Sequence, residues 1–113
     1  MTNYASGRRL EWKMKGYFQS LGFFVVRSAG SRSPVDLIAI GSNRLLLIQC
    51  KSGDSSFTKA EQDDFVNFVH KLGAEAVLVR HDLYKKTKIL IYSKPGIRAT
   101  VTILSPSSKE DPL

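Results

Sequence analysis

Two apolar runs joined by a tight turn, each carrying polar residues at its outer end, most limit what this chain can become. Residues 35–40 and 44–51 have the composition of strands, and Gly41-Ser42-Asn43-Arg44 between them is turn material. If Gly41 pairs with Arg44, an antiparallel register sets Ile40 against Leu45, Ile38 against Leu47 and Asp36 against Gln49, with paired Cβ atoms ~5 Å apart. Lys51 lies two residues past Gln49 and so shares its face. A carboxylate, an amide oxygen and an ammonium gathered at one end of an apolar hairpin are costly to bury without a shared task.

The rest of the chain frames that hairpin. Leu10, Met14, Phe18 and Leu21 recur at helical spacing over residues 6–21, with Gly22 as the stop. Residues 23–28 read as a strand, followed by the small, flexible loop Ala29-Gly30-Ser31-Arg32-Ser33-Pro34. After the hairpin, Gly53-Asp54-Ser55-Ser56 breaks the strand. Thr58-Lys59-Ala60-Glu61 matches a capping box for a second helix that ends at Leu72 before Gly73, with Phe65, Val66, Val69 and Leu72 as its stripe. Strands follow at 75–80 and 88–92, joined by a basic turn at Lys85-Lys86, and a last one at 97–104. Residues 105–113 form a flexible tail with two prolines. This order predicts one α/β domain over 1–104, a mixed β-sheet flanked by helices.

Length and charge agree with a single small domain that meets a polyanion. The 113 residues suffice for one core, and 17 Lys and Arg against 10 Asp and Glu give a net charge of +7. A polyanionic partner is the economical explanation, although a charge of this size also serves plain solubility. Cys50 is the only cysteine, which excludes an internal disulfide and a multi-cysteine zinc site and fits a reducing cytoplasm. Residues 1–7 are polar, so neither a secretion signal nor a membrane span is expected.

The polar cluster suits a hard divalent cation. Magnesium takes oxygen ligands and keeps several waters, so one or two carboxylates plus phosphate oxygens suffice. Asp36 is the main candidate, Gln49 offers its side-chain oxygen, and the backbone carbonyl of Cys50 lies between Gln49 and Lys51. Lys51 is placed to orient a water or stabilise charge growing on a phosphate. Glu11 precedes Met14 by three residues and Phe18 by seven, so it leans toward the buried edge of the first helix. Gln62 holds the comparable edge of the second. Taken singly, ordinary roles are open to each: Asp36 as a loop cap, Lys51 as a solvated strand end, Gln49 as an exposed amide, Glu11 as a surface charge. Their convergence favours the metal site and cleavage of a phosphodiester. Cys50 points to the opposite face, as a small buried thiol. His70 and His81 lack ligand-spaced partners and read as surface or packing residues. Arg8, Arg9, Lys13, Lys15, Arg27 and Arg32 form a basic rim suited to a phosphate backbone, and the Ser31 loop offers hydroxyls and amides beside it. Trp12 has two roles open to it, stacking on a base or anchoring an interface.

Gly7-Arg8-Arg9-Leu10-Glu11, Val25 to Ser31, Pro34-Val35-Asp36-Leu37-Ile38-Ala39, Ile48-Gln49-Cys50-Lys51 and Leu72-Gly73-Ala74-Glu75-Ala76, in that order, resemble the archaeal-type Holliday junction resolvases of the PD-(D/E)XK nuclease superfamily. The resemblance implies a restriction-endonuclease-like fold and a homodimer that binds branched, four-way DNA and cuts two opposing strands symmetrically with Mg2+, for which Mn2+ substitutes. It places Glu11, Asp36, Gln49 and Lys51 in the catalytic set, with Ser31 beside them, and Glu11, Asp36, Gln49 and the Cys50 carbonyl around the metal. Arg8, Arg9, Lys15, Arg27, Ser31, Arg32 and Gln62 become the expected DNA contacts. Two departures stand out. Gln49 replaces the family's usual Glu, as in nuclease relatives resembling type IV restriction endonucleases, and Trp12 stands where resolvases often carry a charge. They leave two other readings in view: a related nuclease for flapped, nicked or modified duplexes, and a catalytically silent junction-binding module.

Overall fold

Helix α1 (Asn3–Ser20) buries Leu10, Met14 and Phe18, one residue per turn, and these three form its core stripe. The helix ends where Leu21 N–H donates to the Phe18 carbonyl, 3.1 Å, and Gly22 takes φ +99°. Leu21, expected in the stripe, lies beyond that end and is exposed. The computed structural model describes residues 3–28, 33–53, 57–81 and 86–104. Ser31, Arg32, Lys85 and the tail at 105–113 lie outside the described residues.

Six strands follow the order β1-β2-β3-β4-β5-β6 in one sheet. Strands β1 (Phe24–Arg27), β2 (Leu37–Ile40) and β3 (Leu45–Ser52) are antiparallel neighbours. The hairpin has the expected register at its turn: Ile40 faces Leu45, Ile38 faces Leu47, and Gly41 N–H donates to Arg44 O at 2.8 Å. Gly41 is required there, because a Cβ would sit 2.8 Å from the Phe23 ring.

Helix α2 (Lys59–Lys71) crosses over to β4 (Glu75–His81), which runs parallel to β3. It opens on the expected capping box, with both Thr58–Glu61 hydrogen bonds formed, and closes at Leu72 before Gly73 at φ +79°. Phe65 and Val69 are its buried residues, whereas Leu72, at the cap, is exposed. Strands β5 (Thr87–Tyr92) and β6 (Thr100–Leu104) complete the sheet antiparallel to their neighbours. The last strand starts three residues later than expected. His70 and His81 serve packing, bonding the Tyr92 carbonyl and the Thr87 hydroxyl at 2.9 Å each.

The two faces carry separate cores. Leu37, Ala39, Leu46, Ile48, Cys50, Val77, Val79 and Ile89 pack under α1, and Val35, Leu47, Ala74, Ala76 and Leu78 pack under α2. Strand alternation explains this partition in β3 and β4, both buried on two sides. Among the described residues no helix is long and apolar enough to cross a membrane.

Candidate active site

Alternation breaks at Asp36. Val35 packs under α2 and Leu37 under α1, although residues two apart in a regular strand share a face. The paired register ends at Leu37 with Ile48, and Asp36 N–H donates to Ile48 O at 2.8 Å while its own carbonyl accepts from Ser28 N–H at 2.9 Å. The expected cross-strand pairing of Asp36 with Gln49 is therefore replaced. Its carboxylate Oδ2 reaches β3 directly and accepts the Cys50 N–H at 2.8 Å. The cause is local: once β2 stops pairing, that N–H lacks a backbone acceptor, and the carboxylate supplies one.

This bond orients the end of β3. Cys50 packs under α1, as expected from its opposite parity to Gln49 and Lys51. Its N–H points to the Asp36 edge, and because the N–H and C=O of one strand residue point the same way, its carbonyl does too. Gln49 and Lys51 share the parity of Leu47 and line a cleft of about 360 Å³ with Pro34, Phe57, Asp64 and Phe68. The Lys51 ammonium sits 5.4 Å from the centre of the Phe57 ring. Gln62, expected as a DNA contact, donates its amide to the Phe57 carbonyl at 3.1 Å, holding the segment that carries that ring.

Glu11 approaches from α1. Its Oε1 accepts from Arg27 Nε at 2.9 Å, a partner on β1 that helical spacing did not offer. Arg27 in turn lies 5.5 Å from the centre of the Trp12 ring, and Lys15 lies 4.9 Å from it. Arg8 and Arg9 are exposed nearby on the same helix.

Electrostatically the centre of this arrangement is Asp36. Burial pushes its carboxyl from 3.8 up to about 6, the Cys50 N–H opposes that, Glu11 raises it further, and Lys51 and Arg27 pull it down. Two carboxylates thus share one end of the sheet with two cations. Burial, followed by the same two carboxylates, drives the Cys50 thiol well above its ordinary value, so it is inert as a nucleophile.

A further polar atom stands out by its burial. The side-chain oxygen of Gln49 is buried and accepts no hydrogen bond from the described residues. A buried acceptor without a donor is costly, and a cation relieves it. Among the described residues no three His, Cys, Asp or Glu side chains gather as a metal group. The Glu11 and Asp36 carboxylates, the Gln49 amide oxygen and the Cys50 carbonyl are hard oxygen donors, the kind that Mg2+ or Mn2+ takes. Spacing alone missed Arg27 as the partner of Glu11 and Phe57 as the ring under Lys51; both depend on tertiary approach.

A family model described as archaeal Holliday junction resolvase (Hjc) matches residues 2–95. A curated relative from Methanocaldococcus jannaschii, named crossover junction endodeoxyribonuclease Hjc, is 31% identical over 78 residues, 66% of this chain. The match spans 58% of that relative's own length. A solved structure of Archaeoglobus fulgidus Hjc, titled a Holliday junction resolvase from an archaeal hyperthermophile, aligns with TM-score 0.58 at 18% identity. It covers 92% of this chain and 94% of the other, which shows a shared fold.

Proposed function

The chain belongs to the archaeal Holliday junction resolvase family, and from that premise we propose that it is an endodeoxyribonuclease that resolves four-way DNA junctions by metal-dependent, paired cleavage. One observation supports the metal-dependent part: the buried Gln49 oxygen, which accepts no hydrogen bond from the described residues, belongs to the same strand end whose Cys50 N–H binds Asp36. Glu11, Asp36, Gln49 Oε1 and the Cys50 carbonyl would hold the cation. When bound, a divalent cation supplies Lewis-acid polarisation of the scissile phosphate and makes water easier to deprotonate.

The chain's own residues account for the rest. The Cys50 N–H holds the Asp36 carboxylate in one orientation, so its free lone pairs are aimed before substrate arrives. Lys51, backed by the Phe57 ring, sets an ammonium where negative charge grows on the phosphate as water adds and one P–O bond breaks. Arg8, Arg9 and Lys15 lie on the helix that carries Glu11, and with a net charge of +7 they favour a DNA backbone over a neutral substrate. Two opposed cuts need two such sites, which a twofold homodimer supplies.

The test is cleavage of a synthetic four-way junction with Mg2+ by the native chain, Asp36→Asn and Gln49→Leu, with junction binding followed separately. We expect Asp36→Asn to cut at least ~100-fold more slowly while still binding the junction. Cleavage at the native rate by Asp36→Asn would remove that residue from the reaction.

A further inference from the structure

Arg27 holds Glu11 through one nitrogen, its Nε at 2.9 Å from Oε1. Among the described residues its two terminal nitrogens make no hydrogen bond, and its side chain is 30% exposed against 18% for Glu11. The guanidinium also lies 5.5 Å from the centre of Trp12, a ring about half exposed, with the Lys15 ammonium 4.9 Å from the same ring. Arg27 therefore has two attractions at once, a carboxylate and an aromatic ring, while its side chain stays part-exposed.

The same carboxylate is claimed by two positive partners. Glu11 and Asp36 are close enough for each to feel the other, and Arg27 now supplies part of the positive charge that offsets them. A divalent cation held by Glu11 and Asp36 would bring a stronger charge to Glu11 and repel the guanidinium beside it. Arg27 holds Glu11 through a single nitrogen in a part-exposed contact, so the stronger charge would win that contest.

We propose that Arg27 is an exchangeable counter-ion: it neutralises Glu11 while the site lacks a divalent cation, and on cation binding it turns on Trp12 to present its terminal nitrogens to a DNA phosphate. Trp12 is thereby a positioning residue. Its ring gives the released guanidinium a place at the rim, and Lys15 adds a second positive charge on the same support. The exchange couples cation to substrate, because a phosphate that holds Arg27 away from Glu11 raises cation affinity by the same factor that the cation raises phosphate affinity. This inference rests on Glu11 and Asp36 being cation ligands, as proposed above.

Trp12 is the chain's only tryptophan, so its emission reports the displacement directly. The experiment titrates Mg2+ into the native chain without DNA, following binding by calorimetry and Trp12 by fluorescence, and repeats both with Arg27→Gln, Arg27→Lys and Asp36→Asn. The expected result is a native fluorescence change along the calorimetric curve. In Arg27→Gln, Mg2+ still binds, roughly fivefold tighter for want of the competing charge, but the fluorescence response is lost; Arg27→Lys gives a reduced response. Mg2+ binding with no native response, or with equal responses in native and Arg27→Gln, overturns the exchange while leaving the metal site standing. No calorimetric binding by the native chain, or native-strength binding by Asp36→Asn, overturns the metal site and the exchange together.

Discussion

Asp36 does two opposed things at once. Its carboxylate closes the open end of the hairpin by accepting the Cys50 N–H, yet burial and Glu11 make its charged form unfavourable, which raises its carboxyl to about 6. A group whose folded value exceeds its unfolded one stabilises the fold most below the unfolded value, and that stability is lost as pH rises through the folded value. For Asp36 the window runs from 3.8 to about 6. Asp36→Asn, which keeps an acceptor for Cys50, should therefore be more stable than the native chain by roughly 1–2 kcal/mol above pH 7 once solvent screening is allowed for, with the gain vanishing below pH 4. Urea unfolding of both proteins across that range checks it, and a gain that grows toward low pH would contradict the sign. Divalent affinity of the native chain should likewise fall as pH drops below about 6, when Asp36 takes up its proton. At Gln49 the expectation is the reverse in charge: Gln49→Glu adds an anion to a site built of hard oxygens and should tighten Mn2+ binding about tenfold by calorimetry.

The elements were largely legible because their signals are local. Leu10, Met14 and Phe18 at four-residue spacing set α1, the Thr58–Glu61 box starts α2, and Gly41 with Arg44 closes the hairpin in the expected register. What was not legible depends on where an element stops. Leu21 and Leu72 continue their helical spacing yet fall past the helix ends and are exposed. Alternation carried through Asp36 predicts a partner at Gln49, but Asp36 N–H bonds the Ile48 carbonyl instead, the ladder ends at Leu37, and the Asp36 carboxylate takes up the Cys50 N–H left without a backbone acceptor. The pairing of Glu11 with Arg27 spans two elements, so no periodicity announces it. Two stability measurements belong here. Thr58→Ala removes the hydroxyl that accepts Glu61 N–H and should cost about 1 kcal/mol. Met14→Ala empties a fully buried position under the sheet and should cost about 2–5 kcal/mol in urea unfolding.

At the scale of the molecule, the sheet serves as the divider whose two faces meet at the end proposed as the active site. Helix α1 delivers Glu11, the interrupted hairpin delivers Asp36, and the parity of β3 delivers Gln49 and Lys51 toward α2. The four-way junction proposed as substrate offers two equivalent strands, and the homodimer proposed above predicts a sedimentation mass twice the 12.6 kDa of one chain. The basic rim predicts junction binding that weakens by tenfold or more between about 50 and 200 mM salt. The most direct measurement is to map the products of a four-way junction incubated with the native chain and Mg2+. The expected result is a pair of nicks at symmetric positions on opposing strands, abolished by omitting the cation or by Asp36→Asn. A chain that binds the junction tightly and leaves it whole with both Mg2+ and Mn2+ would contradict the account.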